Sequence, residues 1–262
     1  MITITQNKIA GFEPRWASFA GFSMLFDNPG DSLTVDGDLA KITCAPAAHG
    51  PLALYSGLEK ALEELDRDLL IRTYLFCPLP PSSYHVTVWD GINVDNIWSV
   101  NPAVRSAWSA FLNGLAPSLK TPPDSMEVVT RSALRNWSSS ISFQFEKLTL
   151  WGNQVLVARL RPVEEASERS LTDLSALRKQ LSETAGGKLG VNFSRSYSPH
   201  VTLGYFANQE HAQIAHARME HWTERFTAKL RGSIITYASL DIYGFPDMAS
   251  FFKVTRSREA VA

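Results

Sequence analysis

One short motif occurs twice in this chain, and it limits the possible folds more than any other feature. The sequence reads His-Val-Thr-Val at 85–88 and His-Val-Thr-Leu at 200–203. β-Branched residues of this kind are typical of strands. Because side chains alternate across a strand, each His shares a face with the Thr two positions later, while the aliphatic residues share the other face. The motif therefore predicts two strands, each with an apolar face toward a core and a polar face toward a cleft.

The segments around the two motifs follow the same order, which suggests an internal duplication. Each half reads as strands, then a helix, then a His-Val-Thr strand, with turn residues between them. The predicted strands cover 33–44, 69–76, 84–89, 141–150, 154–160, 197–204, 234–243 and 250–254. The predicted helices cover 52–65, 103–115, 170–184 and 209–226.

Turn signals set the expected ends of several elements. Asp90-Gly91 predicts a turn after the first motif strand, Gly152-Asn153 a tight hairpin turn, and Gly186-Gly187 the end of the long helix. The Pro-rich stretch 121–124 indicates a boundary between two lobes. We therefore expect an α+β fold, in which each of two pseudosymmetric lobes contributes an antiparallel sheet flanked by helices around a central cleft. The expected single bilobal domain spans 1–262, with an irregular segment at 1–30 and lobes at 31–120 and 139–262.

Composition is typical of a soluble globular protein. Apolar residues make up 45% of the chain and charged residues 19%. The net charge of -1 argues against binding to extended duplex nucleic acid, whereas a nucleotide or a strand end needs only a local positive site. The sequence shows no secretory signal and no apolar stretch of membrane-spanning length. With only Cys44 and Cys77, we expect a reduced, cytoplasmic protein without membrane partners.

Two histidines in two copies of one motif, related by a pseudo-twofold axis, suit a displacement reaction at phosphorus. In-line displacement needs a base at the attacking oxygen and an acid at the departing oxygen. An imidazole with an ordinary pKa of about 6.5 has both protonation states accessible near neutrality. Strand geometry places each His roughly 6 to 7 Å from its Thr, so one phosphate group can touch both side chains. The Thr hydroxyls can donate to the nonbridging oxygens.

The two motifs and the order of elements around them resemble the 2H phosphoesterase superfamily, which includes the RNA ligase-like cyclic phosphodiesterases. The resemblance implies a bilobal α+β fold with a central cleft. It implies that His85 and His200 are the catalytic acid and base and that Thr87 and Thr202 bind the phosphate. It implies neither a metal ion nor a cofactor.

The approach to the second motif also resembles this superfamily, in which a basic residue and an aromatic residue commonly precede Pro-His. Here the sequence reads Arg195-Ser-Tyr197-Ser-Pro-His200, so Arg195 and Tyr197 are candidate substrate-binding residues. The first motif differs, because Tyr84 precedes its His and Trp-Asp-Gly follows it. That difference concerns the substrate more than the chemistry.

The expected substrate is a phosphodiester: a nucleoside 2',3'-cyclic phosphate, an RNA end or an oligonucleotide linkage. Two alternatives remain open. The same fold could be a non-catalytic module that binds nucleotides or RNA ends. Alternatively, His85 and His200 could be ligands in a metal-dependent hydrolase, which would need a carboxylate that neither motif contains.

The remaining histidines and the tryptophans predict structure more than chemistry. His211, His216 and His221 are five residues apart, and on a helix this spacing turns each about 140° from the last. We therefore expect a solvated helix face there, and a loop at His49. The seven Trp residues are expected mainly in the core, although an exposed ring could stack on a base.

Overall fold

Antiparallel sheets form the framework of the fold, and helices pack against them. The computed structural model describes residues 2–11, 15–30, 33–44 and 50–255. The strands are β1 (Ile9–Gly11), β2 (Arg15–Trp16), β3 (Gly21–Phe26), β4 (Leu33–Asp36), β5 (Leu39–Ile42), β6 (Phe76–Pro78), β7 (Thr87–Asn93), β8 (Ile141–Trp151), β9 (Val155–Pro162), β10 (His200–Phe206), β11 (Ile234–Tyr237), β12 (Leu240–Asp247) and β13 (Ser250–Val254). The helices are α1 (Ala53–Glu63), α2 (Arg67–Thr73), α3 (Pro102–Asn113), α4 (Glu127–Thr130), α5 (Glu165–Leu189), α6 (Gln209–His216) and α7 (Met219–Lys229).

Two large antiparallel sheets confirm the predicted α+β class. The six-stranded sheet has the order β4-β5-β13-β12-β3-β7, and the five-stranded sheet has the order β11-β8-β9-β10-β6. The strands β1 and β2 form a separate ribbon. Helices α5 and α7 pack on β8 of the five-stranded sheet, and α1 packs on α7 and β11. Within the described residues, no helix combines the length and the apolar character needed to cross a bilayer.

The sheets do not follow the two halves of the chain. The strand β6 belongs to the five-stranded sheet, whereas β12 and β13 belong to the six-stranded sheet, so each sheet takes strands from both 31–120 and 139–262. The stretch predicted as one strand at 234–243 is two strands, because the chain passes from one sheet to the other between β11 and β12. The first 30 residues are not wholly irregular, since β3 is fully buried and pairs with both β12 and β7.

Two further strand predictions are wrong for local reasons. The stretch 33–44 is the hairpin β4–β5, because a turn at Gly37 and Asp38 interrupts it. The stretch 69–76 is mostly the helix α2, which the Asp66 side chain caps by accepting a hydrogen bond from Leu69 N at 3.2 Å. Similarly, the helix predicted at 209–226 is divided into α6 and α7. His49 lies outside the described residues.

The Asp90-Gly91 pair lies inside β7 and does not end it. A Cβ on Gly91 would lie 2.6 Å from the carbonyl oxygen of Phe22 on β3. A glycine is therefore needed here because the two strands approach each other closely, and not because the chain turns. By contrast, the β8–β9 hairpin closes at Gly152-Asn153 as predicted.

The long helix α5 continues through Gly186 and Gly187, which were expected to end it. It runs from Glu165 to Leu189, and the next residue, Gly190, caps it with a left-handed φ of 78°. Leu181, Ala185 and Leu189 are buried along its last turns. Packing of this apolar stripe outweighs the low helix propensity of two glycines.

Because Gly187 is an exposed position inside α5 with open space around it, Gly187→Ala should stabilise the protein by about 1 kcal/mol. Gly190→Ala should instead destabilise it by about 1 kcal/mol, because its left-handed conformation disfavours a Cβ. Urea unfolding of both variants measures the two changes. A destabilised Gly187→Ala would show that the helix ends where the glycines predicted.

Candidate active site

The two motif strands meet at one point, where Val86 pairs with Val201 in an isolated antiparallel bridge. In this register the His of each motif lies opposite the Thr of the other. Both valines are fully buried, so the polar residues on either side of them share the opposite face. These residues are His85, Thr87, His200 and Thr202. The bridge therefore brings together the four side chains that the repeated motif singled out.

Each motif histidine is oriented by the carbonyl group two residues before it. His85 Nδ1 lies 2.7 Å from the Ser83 carbonyl oxygen, and His200 Nδ1 lies 2.9 Å from that of Ser198. A carbonyl oxygen only accepts hydrogen bonds, so Nδ1 carries the proton in the neutral ring and Nε2 offers a lone pair. Because both histidines make the same contact, the two motifs are locally pseudosymmetric.

An aromatic ring packs against each imidazole. The ring centroid of Phe251 lies 4.1 Å from that of His85, and the centroid of Trp151 lies 4.0 Å from that of His200. Both rings come from strand ends beside a hairpin turn, Phe251 on β13 and Trp151 on β8. The expectation that tryptophans belong to the core holds for Trp89, which is fully buried, but Trp151 is a wall of this site.

Burial governs the ionisation of His85. Burial lowers the pKa of this imidazole to about 4, although the hydrogen bond with the Ser83 carbonyl acts in the opposite direction and raises the pKa. The positive charges of His200 and Lys8 lower it further. His85 is therefore a neutral proton acceptor at pH 7 in the free protein.

Burial is also the largest cause of the lowered pKa of His200. The Ser198 carbonyl and the Asp90 carboxylate raise this pKa, and the charges of Lys8 and Arg159 lower it. The two imidazoles thus have similar hydrogen bonds and different charged neighbours. Of the two, His200 is the one that a carboxylate favours in its protonated form.

A β-bulge in each motif strand turns one more side chain toward the polar face. The bulge follows Thr87 in β7 and Thr202 in β10. Since an extra residue shifts the alternation by one, the next residues on the polar face are Asp90 and Tyr205. Burial and then the charge of Asp90 raise the pKa of Tyr205, as expected for two groups that face the same cleft.

The two other candidates from the second motif differ in position. The Tyr197 hydroxyl is buried and has no hydrogen-bond partner among the described residues. The Arg178 guanidinium lies over the Tyr197 ring, 5.4 Å from its centroid. Arg195 has a side chain that is 66% exposed and pairs with Glu183 at 3.7 Å. Tyr197 thus lines the interior beside the motif strand, and Arg195 lies at the surface against α5.

The sequence analysis missed Arg178, which links the two motifs from α5. It is only 4% exposed, and it donates through Nε to the Val88 carbonyl at 2.8 Å and through NH1 to the Ser194 carbonyl at 2.9 Å. Val88 ends the first motif, and Ser194 lies on the approach to the second. The one available signal was a charged residue at the helical spacing of the buried stripe of α5.

Within the described residues, no three His, Cys, Asp or Glu side chains are grouped so that they could hold a metal ion. His216 on α6 and His221 on α7 are exposed, as predicted for solvated positions. Cys44 and Cys77 are buried free thiols.

The chain shares its fold with a bacterial protein of known structure. It is similar to the conserved protein of unknown function ATU0111 from Agrobacterium tumefaciens str. C58, with 13% sequence identity and a TM-score of 0.50 over 94% of this chain and 88% of that chain. It is also similar to Usb1 of Kluyveromyces marxianus, with 10% identity and a TM-score of 0.39 over 90% of this chain and 97% of that chain. No family model and no curated protein matches the chain. At such identities the first similarity shows the fold, and neither shows an activity.

The buried His85 should make the protein less stable in mild acid. Its pKa is about 6.5 in an unfolded chain and about 4 in the fold, so the unfolded chain binds more protons between these values. The free energy of unfolding therefore falls as the pH drops from about 6.5 to 4. His85→Gln should remove up to about 3 kcal/mol of this loss.

Urea unfolding at pH 7 and pH 4.5 measures that difference. The matched control is His216→Gln, because His216 is exposed. An acid dependence that is the same in His85→Gln and in the wild type would contradict the lowered pKa.

Proposed function

We propose that this protein is a metal-independent phosphodiester hydrolase of the 2H type, with its active site at the Val86–Val201 bridge. The observation that carries the proposal is the diagonal arrangement of two His and two Thr side chains around that bridge. A phosphate group seated over the bridge would have one imidazole on each side and one hydroxyl beside each imidazole. In-line displacement needs this two-sided placement of base and acid.

In the proposed reaction, one imidazole Nε2 takes a proton from water as the water oxygen forms a bond to phosphorus. The bond from phosphorus to the departing ribose oxygen breaks, and the other imidazole, in its protonated form, donates a proton to that oxygen. The hydroxyls of Thr87 and Thr202 donate to the nonbridging oxygens, where negative charge increases in the transition state. The free hydroxyl of Tyr197 is a further candidate donor to the substrate.

We assign the base to His85 and the acid to His200. The charges that act on His85, from His200 and Lys8, favour its neutral form. The Asp90 carboxylate favours the protonated form of His200. A base must begin neutral and an acid must begin protonated. Asp90 acts on His200 and not on His85, which matches these roles, whereas Lys8 and Arg159 oppose protonation of His200.

The proposed substrates are nucleoside 2',3'-cyclic phosphates, RNA ends and short oligonucleotide linkages. The ring of Trp151 beside His200 supports a nucleotide ligand, because an aromatic wall can stack on a base. The same geometry would serve a module that binds nucleotides or RNA ends without turnover. Arg195 stays a candidate for contact with a longer substrate, since its exposed guanidinium lies on the approach to the second motif.

His85→Ala and His200→Ala should each lower hydrolysis of a 2',3'-cyclic nucleotide by about 100-fold to 10,000-fold. Thr87→Val and Thr202→Val, which keep the β-branched shape, should each cost up to about 1,000-fold. The panel should contain the four 2',3'-cyclic nucleotides and short 2'-5' and 3'-5' oligonucleotides, with EDTA present throughout.

His216→Ala is the control for these variants, since this exposed histidine on α6 belongs to no motif. Full activity in either motif variant would remove that histidine from the mechanism. Activity lost in EDTA and restored by a metal ion would favour the metal-dependent alternative. Tight nucleotide binding without turnover would favour the binding module.

Asp90→Asn tests which imidazole is the acid. Removing this carboxylate should lower the pKa of His200, so the descending limb of the kcat/KM pH profile should move to lower pH. The ascending limb, assigned to His85, should stay in place. A shift of the ascending limb alone would reverse the assignment.

A further inference from the structure

The N-terminal strap, residues 2–11, lies beside the far ends of both motif strands. The backbone N–H of Thr5 donates to the Ala207 carbonyl at 2.8 Å, and Asn7 Nδ2 donates to Asp95 Oδ1 at 2.7 Å. Ala207 directly follows β10, and Asp95 lies in the turn after β7. The strap is therefore fixed to the chain just beyond both motif strands, one from each large sheet.

Lys8 projects from this strap toward the cleft. Its Nζ lies 4.7 Å from the ring centroid of Phe19 and 5.5 Å from that of Tyr205. Tyr205 is the residue that the bulge in β10 turns to the polar face. The Lys8 side chain is partly buried, and no carboxylate of the described residues lies within 4.0 Å of its Nζ.

The charge of this ammonium group acts on both motif histidines. Lys8 is close enough to both His85 and His200 to lower the pKa of each. Burial lowers the pKa of Lys8 itself, and the charges of Asp90 and Asp95 raise it. Among the described residues this ammonium contacts two aromatic rings and no carboxylate directly, so an anion bound beside it would offset the cost of its burial.

We propose that Lys8 is a third phosphate-binding residue of this site, whose ammonium donates to a nonbridging oxygen of a phosphate held between His85 and His200. The inference rests on the proposed function, and it names a group that neither motif contains. A lysine contacts phosphate as a point charge, and a charge fixed near the reacting atoms is most effective where negative charge builds up. Lys8 of the strap thus supplies a cation for the phosphate, whereas Arg195 lies at the surface and pairs with Glu183.

Lys8→Met should lower kcat/KM for a 2',3'-cyclic nucleotide by about 10-fold to 100-fold, the usual cost of a hydrogen bond to a charged group. Lys8→Arg, which keeps the charge, should retain most of the activity. In Lys8→Met both limbs of the pH profile should move to higher pH, because the cation that disfavours both protonated imidazoles is gone. A purely structural role would not move both limbs in this direction.

Lys41→Met is the matched control. Lys41 lies on β5, and its Nζ is 5.6 Å from the ring centroid of Phe252, so this variant also removes an ammonium from an aromatic ring. It should leave kcat/KM and the pH profile unchanged. Lys8→Gln replaces Lys8→Met if thermal unfolding shows that the Met variant is not folded.

Titration with inorganic phosphate, followed by the NMR signals of the two imidazoles, tests Lys8 without turnover. Weaker binding in Lys8→Met than in the wild type and Lys41→Met would support the inference. Equal binding, or no binding to the wild type, would overturn it. If the wild type hydrolyses the substrate and Lys8→Met matches it in kcat/KM and in pH profile, the inference on Lys8 fails while the proposed function stands. If the wild type hydrolyses nothing, the proposed function fails and the titration still decides on Lys8.

Discussion

The backbone contact between Val86 and Val201 determines how the two motif histidines are placed relative to each other. It joins β7, at the edge of the six-stranded sheet, to β10 of the five-stranded sheet, whose later residues pair with β6. Only one residue pair is shared between the two strands. A register shift of one residue would turn the histidines into the core and the valines into the cleft. Apolar burial of Val86 and Val201 therefore sets the geometry of the polar site.

A contact this short needs support from elsewhere, and α5 supplies it. Arg178 and Ser182 of this helix bind β7 through the Val88 carbonyl and the Trp89 indole, and both also bind the Ser194 carbonyl before the second motif. A buried guanidinium is costly unless its donors are satisfied, and here the acceptors are backbone groups of the two segments to be held together. The Arg178 side chain thus links the first motif to the segment that leads into the second.

The sequence predicted the parts of the site that depend on local periodicity. Alternation along a strand is enough to place His85 with Thr87 and His200 with Thr202, and turn chemistry is enough to place the β8–β9 hairpin. The parts that it missed depend on contacts between distant segments. Gly91 is typical of a turn in the sequence, and only the structure shows that Phe22 packs against it. The bulges that bring Asp90 and Tyr205 to the polar face have no signal in the local sequence. Lys8 lies in a segment without periodicity, and the hydrogen bonds of that segment to distant parts of the chain determine its position.

In the proposed mechanism, burial makes protonation of the acid depend on a bound anion. Both imidazoles are neutral in the free protein at pH 7, because desolvation and the Lys8 charge oppose their protonation. General acid catalysis nevertheless requires one protonated ring. A phosphate monoanion between the two rings would oppose the effect of burial, since a negative charge at hydrogen-bond distance raises an imidazole pKa. Asp90 favours His200 as the ring that takes up this proton. In the proposed mechanism, substrate binding and proton uptake are then one linked event, because the bound phosphate favours the protonated imidazole that its cleavage needs.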